Sequence, residues 1–146
     1  MFYGEYRHQL DEKGRFRIPA KLKSELHKIC ADYVITKGRN GCLYIMPESE
    51  AENMIKQDAV HTDKFKLERY YREIYSSYTP SAEDNQGRML LPQNLKSHAG
   101  ISKNIVTIGT GDRIELWSEE KWDSYTTKNA EEWDDLLKDL ESGENN

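Results

Sequence analysis

The chain has 146 residues, 36% of them hydrophobic and 32% charged, with a net charge of −5. That length suits one compact domain or two very small ones, and no apolar run approaches the ~20 residues of a membrane span. The opening MFYGEYRHQ lacks the basic-then-apolar order of a signal peptide, and the two cysteines, Cys30 and Cys42, are too few for a disulfide framework.

The expectation is therefore a soluble cytoplasmic protein. His27 and Cys30 resemble half of a zinc site, but no second pair accompanies them, so neither metal nor cofactor is expected. The charge is unevenly spread. Residues 1–40 carry nine Lys/Arg against five Asp/Glu, whereas residues 115–146 carry three against eleven. A basic front with an acidic tail is compatible with DNA binding, because phosphates respond to the local potential at the contact face.

In chain order, Tyr6, His8 and Leu10 alternate with Glu5, Arg7 and Gln9, which predicts a half-buried strand. Asp11–Gly14 reads as a turn with Gly14 at a positive-φ position. Arg15 to Ile18 alternates again, with Phe16 and Ile18 inward. Pro19 suits the start of a short helix whose buried side would hold Leu22, Leu26 and Ile29. Tyr33–Thr36 and Cys42–Met46 predict a hairpin around GRNG. Pro47 and Ser49 would precede a helix with Ala51, Met54 and Ile55 on one face.

TDKFKLERYYREIY is helical in pattern, with Leu67, Tyr71, Ile74 and Tyr75 on one stripe read as core. A weaker strand follows around Tyr78–Glu83, then the turn Asp84–Gly87, a strand to Leu91 and a helix from Pro92. Strands Ile105–Ile108 and Ile114–Trp117 flank GTGD, and Ser118 is placed to cap a helix carrying Trp122 and Tyr125. A last helix, from about Asn129, puts Trp133, Leu136, Leu137 and Leu140 on one side and needs a surface to cover. The final ESGENN reads as disordered.

The decisive pattern is internal. LDEKGRFRIPAKL returns as EDNQGRMLLPQNL: Asp11, Gly14, Arg15, Pro19, Leu22, Lys23 and Ser24 recur as Asp84, Gly87, Arg88, Pro92, Leu95, Lys96 and Ser97 at a constant offset of 73. Two copies fall below the three or more typical of a solenoid, so a pseudo-two-fold pair is expected. The chain divides into repeat 1 (5–50), connecting helices (51–77), repeat 2 (78–122) and an amphipathic C-terminal helix with an acidic tail (123–146). Its class reads as mainly β with helices, α+β.

DEKGRFRIPAK and DNQGRMLLPQNL, duplicated in a chain of this length, closely resemble the MraZ family, bacterial regulators built from two SpoVT/AbrB-type domains. The resemblance runs from MFYGEY through WSEEKW and leaves the acidic tail outside. It implies a swapped-hairpin β-barrel in which the two repeats interlock within one chain. It also implies a ring-shaped homo-oligomer, an octamer among its candidate forms. The role implied is a nucleoid-associated transcriptional regulator, mostly a repressor. It would bind short direct repeats in double-stranded DNA ahead of the division and cell-wall gene cluster.

The residues point the same way. Arg7, Arg15 and Arg17 share an outward parity, Lys13 sits at the turn tip, and Lys21 and Lys23 open the next helix. A two-stranded ribbon can enter a major groove, where Arg takes guanine bidentately and Lys neutralises phosphate. Arg15 is the expected base or near-base contact, supported by Lys13 and Arg17. Arg7 and Lys21 are expected on the backbone, and Lys23 and Arg88 complete the set. Asp11, Gly14, Asp84 and Gly87 are read as turn architecture.

In repeat 2, Gln86, Leu90 and Asn94 replace Lys13, Arg17 and Lys21, so equal DNA roles for the two repeats are not expected. Leu90, at an outward position, would want cover from a neighbouring subunit. The competing reading is an antitoxin-like module that holds a protein partner on the acidic C-terminal helix. An enzyme is not expected, since His8, His27, His61 and His98 share no motif and no nucleophile or phosphate-loop pattern occurs.

Overall fold

Four apolar runs, YVIT, LYIM, IVTI and IELW, lack the alternation of a one-sided strand, and the reason is that their sheet is covered on both faces. The computed structural model describes residues 1–60 and 63–144. Its elements are β1 (Glu5–Gln9), β2 (Arg15–Phe16), α1 (Ala20–His27), β3 (Tyr33–Lys37), β4 (Leu43–Pro47), α2 (Glu48–Ala59) and α3 (Lys64–Ser77). They continue with β5 (Thr79–Pro80), β6 (Met89–Leu90), α4 (Gln93–Ala99), β7 (Asn104–Gly109), β8 (Ile114–Ser118), α5 (Glu119–Asn129) and α6 (Trp133–Glu144).

The class is α+β, with antiparallel pairing throughout. A six-stranded sheet runs in the order β1-β7-β8-β4-β3-β5, and a separate ribbon pairs β2 with β6. The order is its own mirror image when the two halves of the chain are exchanged. β1 of the first half lies on β7 of the second (Tyr6 opposite Thr107), and β5 of the second lies on β3 of the first (Ile35 opposite Thr79). Across the middle, Leu43 faces Leu116 and Ile45 faces Ile114. The two halves therefore interlock within one chain.

One core lies between the sheet, the ribbon, α1 and α4. It holds Phe16, Ile18, Leu22, Leu26, Ile35, Ile45, Met89, Leu91, Leu95, Ile105 and Leu116. The opposite face of the sheet buries Val34, Tyr44, Met46, Val106, Ile108 and Trp117 against Ala51 of α2 and Trp122 of α5. Ser118 caps α5, its hydroxyl accepting from the Lys121 N–H at 3.1 Å.

Several local expectations change. β1 and β2 are not neighbours in one ribbon: each pairs with the other half, so the outward parity assumed for Arg7, Arg15 and Arg17 does not put them on adjacent strands. Ile29 is exposed because α1 stops at His27, and Ser49 lies inside α2 instead of before it. On α3 only Ile74 of the predicted stripe is buried. Leu67 is half-buried, and Tyr71 and Tyr75 are exposed, because the helix rests on the sheet along the Ile74–Ser77 side.

The weak first strand of the second half shrinks to Thr79–Pro80, with a bridge from Glu83 to Met89. Helix continues to Asn129, and α6 starts only at Trp133. Of the tail read as disordered, Glu141–Glu144 belong to α6, and Asn145 and Asn146 lie outside the described residues.

Candidate nucleic-acid interface

The repeated motif builds the same turn twice. Asp11 Oδ1 accepts from the backbone N–H of Lys13 (3.0 Å) and of Arg15 (2.8 Å), while Oδ2 accepts from Arg15 Nε at 2.7 Å. In the second half, Asp84 Oδ1 accepts from the N–H of Gln86 and Arg88, both at 2.9 Å, and Oδ2 from Arg88 Nε at 2.8 Å. Gly14 (φ 78°) and Gly87 (φ 74°) close the turns in the left-handed region, where a side chain would be strained. These backbone donors, Arg88 N–H foremost, hold the Asp84 carboxyl down at about 2, and the N–H of Arg15 depresses Asp11 in the same way.

The turns meet because β2 and β6 pair, Arg15 opposite Leu90 and Phe16 opposite Met89, and the Leu91 N–H donates to the Gly14 carbonyl at 3.0 Å. Arg15 Nη1 thereby comes within 3.7 Å of Asp84 Oδ2, so its half-buried guanidinium lies between the carboxylates of both halves. Arg17 reaches over the second turn, donating to the Gln86 carbonyl at 2.8 Å and to its side chain at 3.3 Å. Lys23 also crosses over. Its Nζ lies 2.7 Å from Glu83 Oε1 and hangs above Gly87, 2.9 Å from where a Cβ there would stand.

Lys13 and Lys21 are exposed and make no ion pair among the described residues. Arg7 stands differently. Asp123 (2.8 Å), Glu5 (3.1 Å) and Glu119 (3.8 Å) surround it, and the hydrogen bonds from Asp123 and Glu5 raise its pKa above the ordinary arginine value. It still shares a shallow groove of about 570 Å³ with Gln9, Arg17, Lys23, Gln86 and Gly87.

The expected residues thus form two groups. One is Arg15, Arg88 and the turn aspartates at the ribbon. The other is Arg7, Arg17 and Lys23 around the groove. Sequence reasoning missed the acids that engage these cations. Glu83, Glu119 and Asp123 entered only as net charge, and no local pattern links them to lysines and arginines that lie up to 116 positions away. Leu90 is 57% exposed, as its outward position implied.

A family model described as "MraZ protein, putative antitoxin-like" matches residues 1–72 and 74–140. The chain belongs to the MraZ family. The match continues into α6, so the family resemblance is longer than the stretch ending at WSEEKW. Relatives named Transcriptional regulator MraZ align over nearly the whole chain. The one from Clostridium beijerinckii is 43% identical over 134 residues, covering 90% of this chain and 91% of its own. Those from Leuconostoc citreum and Heliobacterium modesticaldum are 37% and 36% identical over 141 residues, covering 96% of both chains in each case. Among the described residues, no helix is long and apolar enough to cross a membrane, and no three His, Cys, Asp or Glu residues converge as metal ligands.

Proposed function

We propose that this MraZ member is a sequence-specific DNA-binding transcriptional regulator, acting at the nucleoid on the promoter of its own operon in the division and cell-wall gene cluster, mostly as a repressor. The reading is non-enzymatic, in keeping with relatives that are named as regulators. The observation that carries it is the pairing of β2 with β6, which sets two identical Asp-x-x-Gly-Arg turns side by side on a narrow ribbon. Such a ribbon fits a major groove.

In this reading Arg15 contacts a base. Asp11 engages its Nε and Asp84 lies 3.7 Å from Nη1, so the guanidinium is held in a set orientation with its outer N–H groups offered to a guanine edge. Lys13, Arg17 and Lys21 neutralise phosphates, and Arg7, Lys23 and Arg88 stand behind them. The second turn, with Gln86 and Leu90 in place of two cations, contributes less to the DNA. Several copies of the chain, joined in a ring, present the ribbon repeatedly to direct repeats in double-stranded DNA.

The test is fluorescence anisotropy of the full chain on its own upstream DNA and on a scrambled duplex, over a salt series. Tighter binding to the upstream DNA, with log K falling linearly in log salt, is the expected result. Equal affinity for both duplexes at every salt concentration would refute the proposal.

A further inference from the structure

A cleft of about 640 Å³ shares no residue with the ribbon or with the groove beside it. Its volume falls within the ~300–1,000 Å³ usual for small-molecule sites. The turn after β3, the sides of α2 and α3 and the end of α4 line it, together with Arg113 from the turn before β8. Met54, Ile74 and the rings of Tyr44 and Tyr70 supply its apolar surface.

The acids of the cleft are already engaged. Asp58 accepts from Arg39 Nη2 at 3.1 Å and from the Tyr70 hydroxyl at 2.9 Å, and Glu73 pairs with Arg69 at 3.1 Å. The cations are engaged only in part. Lys37 is half-buried and makes no ion pair among the described residues. An ammonium drawn partly out of water without a counter-charge favours an anion beside it. Arg113 gives Nε and Nη2 to Glu115, at 3.2 and 3.1 Å, and lies with its Cζ 4.0 Å from the centre of the Tyr44 ring. His98 Nε2 donates to the Gly38 carbonyl at 3.3 Å. Burial, ahead of the charges of Lys37 and Lys121, holds its pKa below the ordinary value.

The same place in the other half of the molecule has the opposite charge. By the offset of 73, His98 stands where Glu25 stands on α1, and Glu25 lies 3.7 Å from the amino group of Met1. Lys37 ends β3 as Gly109 ends β7, and the β4–β8 register makes Tyr44 the counterpart of Glu115. One half therefore sets an acid there and meets it with a cation of the chain itself. The other sets a lysine and a histidine there, beside an open cleft.

We infer that this cleft binds a small phosphorylated molecule with a flat ring, of the size and kind of a nucleoside monophosphate. Its phosphate lies at Lys37 and His98, with Arg113 alongside. A phosphate suits the site better than a carboxylate, because the basic groups come from three separate segments and a phosphomonoester has three outer oxygens to meet them. The ring lies on Met54 and Ile74, with Tyr70, fixed through its hydroxyl on Asp58, as an aromatic wall. The site stands apart from the DNA reading and does not rest on it.

The experiment is fluorescence anisotropy of etheno-adenosine monophosphate, a fluorescent nucleotide, titrated with the full chain at constant ionic strength. Saturable binding of one nucleotide per chain, reversed by unlabelled AMP, is the expected result. Adenosine, ribose phosphate and inorganic phosphate each offer only part of the ligand and should compete at least tenfold less well. Two variants test the cleft from its two sides. Lys37→Gln removes the unpaired charge, and Met54→Trp fills the apolar floor. Each should weaken binding at least tenfold while circular dichroism matches the parent, and if one of them fails to fold the other decides. Absence of saturable binding, parent-like affinity in a folded variant, or competition by adenosine, ribose phosphate or inorganic phosphate equal to that of AMP would overturn the site.

Discussion

Asp11 and Asp84 do more at the ribbon than balance charge. Each organises a turn through two backbone N–H groups and then holds an arginine, so the acid that repels phosphate also aims the group proposed to read a base. Arg15→Ala is expected to weaken binding to the specific site by about 1–3 kcal/mol, with circular dichroism and oligomer mass unchanged. Operator affinity equal to the parent's would take Arg15 out of the interface. Asp84 also sets a pH dependence. Its carboxyl titrates at about 2 in the folded chain, below the ordinary ~3.9, so folding favours the ionised form. Its stabilising contribution is complete above the ordinary value and drains away as pH falls through the folded one. Asp84→Asn should therefore lie below the parent in melting temperature near neutrality and converge on it between roughly pH 4 and 2. A constant gap through that window would show that the carboxylate does not stabilise the turn.

At the scale of elements, the N-terminal arm is the most exacting contact. Phe2 is buried and exchanges backbone hydrogen bonds with Gly111 at 2.9 and 2.7 Å, and the arm crosses directly over β7. A Cβ at Gly109 would collide with the backbone of Phe2 and Tyr3, which has no flexible end to move aside. Gly109→Ala is expected to destabilise the chain by about 1–3 kcal/mol, read as a lower denaturant midpoint. An unchanged midpoint would mean that the arm is not part of the fold in solution. By contrast, Ser118→Ala removes a cap that was legible from sequence, and about 1 kcal/mol should go with it.

That contrast separates what could be read from what could not. Turns, caps and inward positions such as Phe16, Ile18 and Leu95 depend on near neighbours in the chain, and those neighbours were in view. Arg7 was misplaced because its strand pairs with β7 and not with β2, a choice made by residues about a hundred positions away. Tyr71 and Tyr75 carry the same apolar spacing as core residues. Nothing local says which side of α3 meets the sheet. The interface acids Glu83 and Asp123 were hidden for the same reason: they reach their partners only after the halves interlock.

For the whole molecule, the proposed function makes affinity a matter of repetition. One ribbon carries few unpaired cations on a chain of net charge −5, and contacts of this kind alone typically bind at ~10⁻⁴–10⁻⁶ M. A ring that presents several ribbons turns each further contact into an intramolecular one, adding ~10²–10⁴ without new chemistry. Binding should rise steeply with the number of boxes spaced about one helical turn apart. Inserting about five base pairs between two boxes should lose most of the gain, and about ten should restore part of it. A single box that binds as tightly as the array would refute repetition as the source of affinity. Lys13→Gln, copying Gln86 of the second half, should lower affinity on every sequence and reduce the salt slope by about one.

The interlocking of the halves also has a consequence in time. β1 leaves the ribosome early, yet its partner β7 lies about a hundred residues later, a delay of roughly 5–20 s at ordinary rates of synthesis. β2 waits for β6 and β4 for β8 in the same way. Until then the nascent chain carries β3 and β4 with the free edge of β4 open and half of a core beneath them, the kind of surface that pairs with whatever strand is near. Translation that halts before β7 does not release half of a regulator. It releases a sticky fragment with nothing to close it, so premature stops in this chain should yield aggregates or work for chaperones and proteases, never a partial activity.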